Sequence, residues 1–270
     1  MARIFITGST DGLGRAAART LIDEGHQVVL HARSRERASA LDDLASRSAG
    51  LVVGDLASAV ETRSIASAVN AIGRMDGVIH NAGVSSTKDR LPTPEGQTTI
   101  LAVNTLAPFM LTGLIDRPRR LVYLSSSMHR DGTSSLRDIN WRERRWNASQ
   151  AYSDSKLYVT ALAFAVARHW PDVLSNAVDP GWVPTRMGGP DAPDDLEQAS
   201  HSNLAGDERR CRRDSQRPIL ASLAIYRRGS PHWTMSATVD VGLRPVKDDE
   251  NRRESQCGRG RRDRTNQWSC

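Results

Sequence analysis

Short runs of branched apolar residues recur along the first 180 positions, and most are followed by a stretch with helical spacing of its apolar residues. Residues 3–7 (Arg-Ile-Phe-Ile-Thr) read as a short buried strand. A helical run from Arg15 to Glu24 follows, stopped by Gly25, a residue suited to a helix C-terminus. Further strands are expected over Gln27 to Leu30, Leu51 to Val53, Gly77 to His80, Arg120 to Leu124 and Leu174 to Val178. Helices are expected over Val60 to Ile72, over Glu95 to Leu114 and over Ala151 to Val166. Six strand-then-helix units predict an α/β protein, a doubly wound parallel sheet with helices on both faces in three α/β/α layers.

Polar and small residues gather where these strands end. The first strand runs into Gly8-Ser9-Thr10-Asp11-Gly12-Leu13-Gly14 and then a helix. Strand, glycine turn and helix form the context in which such a loop takes a dinucleotide, as in Rossmann-type folds. Glycines let the backbone approach a pyrophosphate, and the helix N-terminus supplies amide donors. The second strand ends at His31-Ala32-Arg33-Ser34. An acid there would bond the ribose 2′-hydroxyl of NAD, whereas an arginine neutralises the 2′-phosphate of NADP. Arg33 is present and no acid is; Arg35 and Arg37 read as a solvated basic helix start. Asp55, before Leu56, either caps the next helix or bonds the adenine edge. Asn81-Ala82-Gly83 either lets the chain pass close beside a cofactor or makes a plain turn.

Asn104 sits among Leu101, Val103, Leu106 and Phe109, so its amide needs partners. It is either a satisfied core residue or the organiser of an active-site water. Ser125-Ser126-Ser127 follow the fifth strand, and Asp179-Pro180-Gly181-Trp182-Val183-Pro184-Thr185 follow the sixth. Carboxyl ends of parallel strands open onto the crevice where ligands of such sheets bind. Between Ser127 and Tyr152 lies a polar excursion containing Trp141-Arg142-Glu143-Arg144-Arg145-Trp146. It could stack on nucleic acid, but a surface flap over a substrate pocket is the more economical reading.

Tyr152 and Lys156 stand four apart on an expected helix, so phenol and ammonium share a face. A fixed positive charge near a tyrosine favours the phenolate and is expected to lower its pKa, bringing it towards the working range of an acid/base catalyst. Such pairs also arise by chance on amphipathic helices. Here the other segments converge on the same chemistry.

Composition alters this picture at one end only. The chain of 270 residues is long enough for one full α/β domain. No apolar run reaches the roughly 18–20 residues of a membrane span. No charged-then-apolar leader precedes the first strand, so a cytoplasmic location is expected. The net charge is +6, yet residues 1–200 carry 22 basic and 22 acidic side chains, so the whole excess lies in 201–270. Cys211, Cys257 and Cys270 lie there too, without paired spacing, which suggests neither a disulfide framework nor a metal site.

Taken together, Thr7-Gly8-x-x-x-Gly12-x-Gly14, Asn81-Ala82-Gly83, Asn104, Ser126, Tyr152-x-x-x-Lys156 and Pro180-Gly181 followed by Thr185 resemble the short-chain dehydrogenase/reductase family over about residues 2–198. The wide gap from Ser126 to Tyr152, with Ser-Ser-x-x-His at 125–129, resembles the branch of retinol dehydrogenases and protochlorophyllide reductases. The resemblance implies hydride transfer between NADP(H), with NAD(H) as the alternative, and a small carbonyl/alcohol substrate. Tyr152 would be the general acid/base, Ser126 would hold the substrate oxygen, Lys156 would bond the nicotinamide ribose, and Asn104 would hold a water. Cofactor contacts are implied at Gly8, Ser9, Asp11, Gly12, Leu13, Gly14, Arg33, Asp55, Leu56, Asn81, Ala82, Gly83, Pro180, Gly181, Val183 and Thr185, besides Tyr152 and Lys156. No metal is implied. A homodimer through the helices bearing Asn104 and Tyr152 is compatible with the resemblance.

The tail departs from it. Residues 1–200 are expected to form the dinucleotide-binding domain, and 201–270 an aberrant arginine-rich tail. That tail reads as a disordered basic segment, of a kind that binds nucleic acid or acidic surfaces, or as the product of a shifted reading frame. A one-base shift of a permitted back-translation of residues 201–221 yields a helix-like run and then Gly-x-Tyr-Trp, as the family's last helix and strand would. With the tail as written, the sheet would lack its last strand and activity would be impaired, leaving a nucleotide-binding scaffold as the rival reading.

Overall fold

The computed structural model of the chain describes residues 1–85, 89–196 and 199, and the backbone of 221–224 and 236–239. Six strands form one parallel sheet: β1 Arg3–Ile6, β2 Gln27–Ala32, β3 Gly50–Val53, β4 Gly77–His80, β5 Arg120–Leu124 and β6 Leu174–Val178, in the order β3-β2-β1-β4-β5-β6. Phe5 lies opposite Val29 on one side and Val78 on the other, which sets the register at the centre. The order reverses at β1, so the crevice for a ligand opens outside the carboxyl ends of β1 and β4.

Side chains alternate across a strand, and the apolar pairs exploit this. Phe5, Val29, Val78, Leu121 and Tyr123 point to one face, where they pack with Ile65, Val69, Leu111, Val159 and Leu162. These come from helices α4 Ala59–Ile72, α6 Ala107–Leu114 and α7 Ala148–His169. Their neighbours Ile6, Val28, Leu30, Ile79 and Val122 point to the other face, against Ala17, Ala18, Leu21 and Ile22 of α1 Gly12–Asp23. Burying each such large side chain contributes about 1.5–3 kcal/mol. Both faces of the sheet are therefore covered, as a parallel sheet requires. Three short α-helices also lie in this part of the chain: α2 Arg35–Ala38, α3 Asp42–Ala45 and α5 Thr99–Leu101.

The helix expected from Glu95 begins instead at Thr99, for visible reasons. Gly96 has φ +84°, and the Thr98 hydroxyl accepts from the Leu101 amide, which marks the helix start. Glu95 is used elsewhere, its carboxylate accepting from the Ala59 amide at 2.7 Å at the start of α4. Residues Ala102–Leu106 then form one π-helical turn around Asn104 before α6. Strand β2 runs two residues past the expected Leu30, through His31 and Ala32.

Among the described residues no further strand joins β6, and Leu174 is 51% exposed on it. Residues β7 Ala221–Ala224 and β8 Ser236–Val239 pair antiparallel as a separate sheet. The remainder of the expected 201–270 tail lies outside the described residues.

Candidate active site

The glycine loop is shaped by its conformation and by its neighbours. Gly8 and Gly12 have φ of +68° and +50°, where a side chain would be strained. At Gly14 a methyl group would collide with Asn81 Nδ2 and the Gly8 carbonyl. Asn81 Nδ2 donates to Thr7 O (2.8 Å) and Gly8 O (3.1 Å), while Thr7 Oγ1 accepts from the Ala82 amide (3.0 Å). The Asn81-Ala82 strand end thus builds the loop rather than facing outward. Ser9 is also turned inward: its hydroxyl donates to Ile6 O at 2.7 Å and accepts from the His31 amide at 3.1 Å. Asp11 caps α1 through the Gly12 amide (2.8 Å), and Leu13 packs against the α1-side core.

At the β2 end, Arg33 is exposed beyond the buried Ala32. Arg35 is exposed as expected, but Arg37 is not simply solvated. One turn of α2 carries it back over the loop, where Nη2 donates to Thr10 Oγ1 (3.4 Å) and lies 3.8 Å from Asp11 Oδ2. Asp55 does not cap α4. Its carboxylate accepts from the Ala57 amide (2.9 Å), and Ser58 makes the cap. The Leu56 side chain is buried in the core.

The helix α7, which carries Tyr152 and Lys156, starts at a capping Asn147, whose Oδ1 accepts from the Gln150 amide (3.0 Å). Tyr152 is hydrogen-bonded by the Ser126 hydroxyl. Ser126 Oγ in turn accepts from the Met128 amide (3.3 Å), and its carbonyl is bonded to His129 Nδ1 (2.6 Å). The serine triplet separates cleanly: the Ser125 hydroxyl is engaged with Thr160 at 2.6 Å in the core, and Ser127 is exposed. Lys156 is buried at 5% exposure, and Nζ donates to Leu124 O at 2.8 Å. The same Nζ lies 5.5 Å from the centre of the Tyr152 ring. A methyl at Gly83 would stand 3.7 Å from Lys156 Nζ and 3.5 Å from Asn104 Oδ1, so the third strand-end residue faces this pair.

The expected lowering of the Tyr152 pKa is corrected by this geometry. Burial holds the phenol above its ordinary value; the Ser126 hydrogen bond opposes that shift, and the Asp179 carboxylate reinforces it. Burial also pulls Lys156 down to about 8, with Asp179 acting in the opposite sense. Desolvation therefore outweighs the charge pairing expected from spacing alone. The site couples a protonated phenol to a buried, readily titrated ammonium.

Asn104 satisfies its amide with protein groups. Oδ1 accepts from the Val84 amide (2.8 Å), and Nδ2 donates to Val84 O (3.0 Å) and Ser155 Oγ (3.0 Å). The excursion before Tyr152 is strapped onto α7 by Asp154, which lies between Tyr152 and Lys156. Its carboxylate accepts from the Thr133 amide (2.8 Å), Gln150 Nε2 (2.9 Å) and Arg144 Nη2 (3.0 Å). Arg144 stacks 3.5 Å above the Trp141 ring, and Trp141 packs edge-on to Trp146 beside Ile100, Val84 and Ala151. The tryptophans flank an apolar wall next to Tyr152 rather than a row of stacking platforms. Asp154 and Asp179 were not singled out from sequence; an acid inside the Tyr-x-x-x-Lys frame was the available signal for the first.

After β6, Gly181 has φ +77°, and the loop is closed by Asp194, whose carboxylate accepts from the Trp182 amide (2.6 Å). Val183 is buried, and a methyl at Gly12 would lie 3.0 Å from Thr185 Cγ2. Between these segments is a cavity of about 270 Å³ lined by Asp11, Gly12, Arg15, Thr185, Arg186 and Leu196. It lies at the α1 N-terminus, where donors converge. Among the described residues there is no cluster suited to a metal ion and no helix long and apolar enough to cross a membrane.

Comparison with known proteins agrees with this fold. A family model described as enoyl-(acyl carrier protein) reductase matches residues 8–212. The chain is 43% identical over 200 residues to the short-chain dehydrogenase chry4 of Gibberella zeae, covering 73% of this chain and 77% of that protein. It is 31% identical to retinol dehydrogenase 13 of Homo sapiens, over 68% of this chain and 60% of that one. A solved structure from Mycobacterium paratuberculosis superposes with a TM-score of 0.63 at 27% identity, covering 76% of this chain and 74% of that chain. A short-chain dehydrogenase of Sphingobium yanoikuyae, solved in complex with NADPH, superposes with a TM-score of 0.62 at 22% identity over 80% and 92% of the two chains, a likeness of fold.

Proposed function

The chain belongs to the short-chain dehydrogenase/reductase family, an oxidoreductase family, and we propose that it is an NADP(H)-dependent oxidoreductase acting on a carbonyl/alcohol pair. The observation that carries the proposal is the convergence of Ser126, Tyr152 and Lys156 beside Gly83, at the carboxyl ends of β4 and β5. The glycine loop fits a dinucleotide, since side chains at Gly8 and Gly12 would be strained and that at Gly12 would crowd Thr185. Gly8, Gly12, Gly14 and Thr185 would hold the pyrophosphate region, Asp55 the adenine edge, and Arg33 with Arg37 the 2′-phosphate. When bound, the nicotinamide supplies or takes up the hydride.

Tyr152 gives its phenolic proton to the substrate oxygen in reduction and recovers it in oxidation. A phenol held above its ordinary pKa is protonated at neutral pH, which suits the reductive direction. Ser126 donates to the same oxygen and steadies developing negative charge, a contribution of about 3–4 kcal/mol in comparable arrangements. Lys156 would bond the nicotinamide ribose, and its ammonium favours the phenolate left on Tyr152 until solvent restores the proton. The wall made by Trp146 and Val84 excludes water on the substrate side.

The test is NADPH consumption with a panel of aliphatic and aromatic aldehydes and ketones. Turnover dependent on both carbonyl and NADPH is expected. Tight dinucleotide binding with no turnover across the panel would favour the rival scaffold reading, which the lack of a strand beyond β6 among the described residues supports.

A further inference from the structure

His31 is used by none of the steps above, yet it is 2% exposed and lies beneath the nucleotide crevice. Its ring is held at both nitrogens by main chain. Nδ1 accepts from the Gly8 amide at 2.9 Å, and Nε2 meets the Gly54 carbonyl at 3.0 Å. Gly8 can only donate and Gly54 can only accept, so the ring is fixed as the neutral Nε2–H tautomer. The two contacts join the first glycine of the phosphate loop to the residue before Asp55, on the adenine side. Backbone groups that flank the two halves of the dinucleotide site therefore share one side chain.

We propose that His31 is a positioning residue for the dinucleotide, holding Gly8 and Gly54 in the binding geometry only while its ring is neutral, so that protonation of His31 weakens cofactor affinity. This rests on the dinucleotide-binding reading above. A proton on Nδ1 sets N–H against the Gly8 N–H, and two facing donors in a buried site must separate. Separation moves Gly8, whose φ of +68° fixes the path of the whole loop.

The surroundings define the sense of the effect. β1 presents the edge of Phe5, with ring centres 6.4 Å apart, and the glycine loop presents Ser9, whose hydroxyl accepts from the His31 amide. From the β3 end the Asp55 carboxylate favours the charged ring, as does the Gly54 carbonyl, but burial dominates and lowers the His31 pKa below 6.5. The neutral ring therefore prevails at neutral pH, and affinity is lost as pH falls below the ordinary histidine range. A bound phosphate near Gly8 does not rescue it, because the conflict is with the Gly8 amide itself.

Calorimetric NADP+ affinity should be followed from pH about 7.5 to about 5 for wild type, His31→Asn and His31→Leu, alongside the melting temperature of each. Asn places an amide oxygen near the Nδ1 position and cannot charge. At the upper pH, His31→Asn should bind within a few-fold of wild type, and His31→Leu should bind about tenfold or more weakly, having left the Gly8 amide unpaired. At the lower pH the wild type should lose about tenfold more affinity than His31→Asn; this difference cancels the titration of the 2′-phosphate itself. Parallel loss in wild type and His31→Asn would overturn the proposal. So would full affinity in His31→Leu, and if that variant does not fold, the comparison with Asn decides alone. A wild type that binds neither NADP+ nor NAD+ at the upper pH would mark failure of the dinucleotide reading, and this proposal would fall with it.

Discussion

Asn104 grips both main-chain groups of Val84, accepting from its amide at 2.8 Å and donating to its carbonyl at 3.0 Å. The π-helical turn at Ala102–Leu106 brings the amide inward to do so. Asn104→Ala would leave both main-chain groups of Val84 without this partner. A loss of about 2–4 kcal/mol is expected, or a melting temperature lower by roughly 4–16 °C. Turnover should fall further than NADP+ affinity, because Val84 follows Gly83, which faces Lys156. An unchanged melting temperature with unchanged turnover would remove this role.

Cofactor choice is expected to depend on two arginines. Arg33→Glu should weaken NADP+ binding about tenfold or more while affecting NAD+ little, since only the former carries the 2′-phosphate. Arg37→Glu should do the same, because its guanidinium lies over Thr10 and Asp11. Equal losses for both dinucleotides, by equilibrium titration, would count against an NADP preference.

Acid stability should be limited by His80. Its ring is fully buried, stacked on Tyr123 at 4.7 Å between ring centres, and Nε2 meets the Thr112 hydroxyl at 3.3 Å. Burial lowers its pKa from 6.5 to about 3. The unfolded chain therefore takes up the proton first. Stability is fully present above pH about 6.5 and falls as pH drops towards 3, by about 5 kcal/mol in all. His80→Leu should flatten this limb in chemical denaturation series from pH about 7 to about 4. Identical slopes in the two proteins would exclude His80 as the source.

Asp154 should be needed for the excursion that ends at Trp146. Removing its carboxylate breaks three hydrogen bonds and leaves Arg144 without its closer acid, since Asp138 lies 4.0 Å from Arg144 Nε. Asp154→Ala should cost about 1–3 kcal/mol, the range for leaving partly buried donors such as the Thr133 amide unpaired. Proteolytic cleavage within 133–146 should become faster. Unaltered cleavage and melting would show that the strap does not hold the segment.

The strands were legible because each is a short apolar run between glycine or polar breaks; β4, β5 and β6 fall where the pattern places them. The helix start at Thr99 was not legible, because Glu95 and Gln97 suit a helix while Gly96 and the Thr98 cap decide against it. Ser126 was separable from its neighbours only by resemblance, whereas the fold shows Ser125 spent on Thr160. Charge pairing suggested a lowered Tyr152 pKa, but burial, which spacing cannot report, reverses the direction. Arg37 reaches Thr10 only through the turn of α2, and a histidine directly after the apolar Val28–Leu30 run, before Ala32, was the unused sign that His31 has buried partners.

The central claim is that Tyr152 transfers the proton, and Tyr152→Phe tests it most directly. The substitution keeps the ring and removes one hydroxyl. NADP+ affinity and melting temperature should stay near wild type, while NADPH-dependent carbonyl reduction falls by about a thousandfold or more, within the range that positioned acid catalysis supplies. Retention of wild-type turnover in Tyr152→Phe would contradict the account.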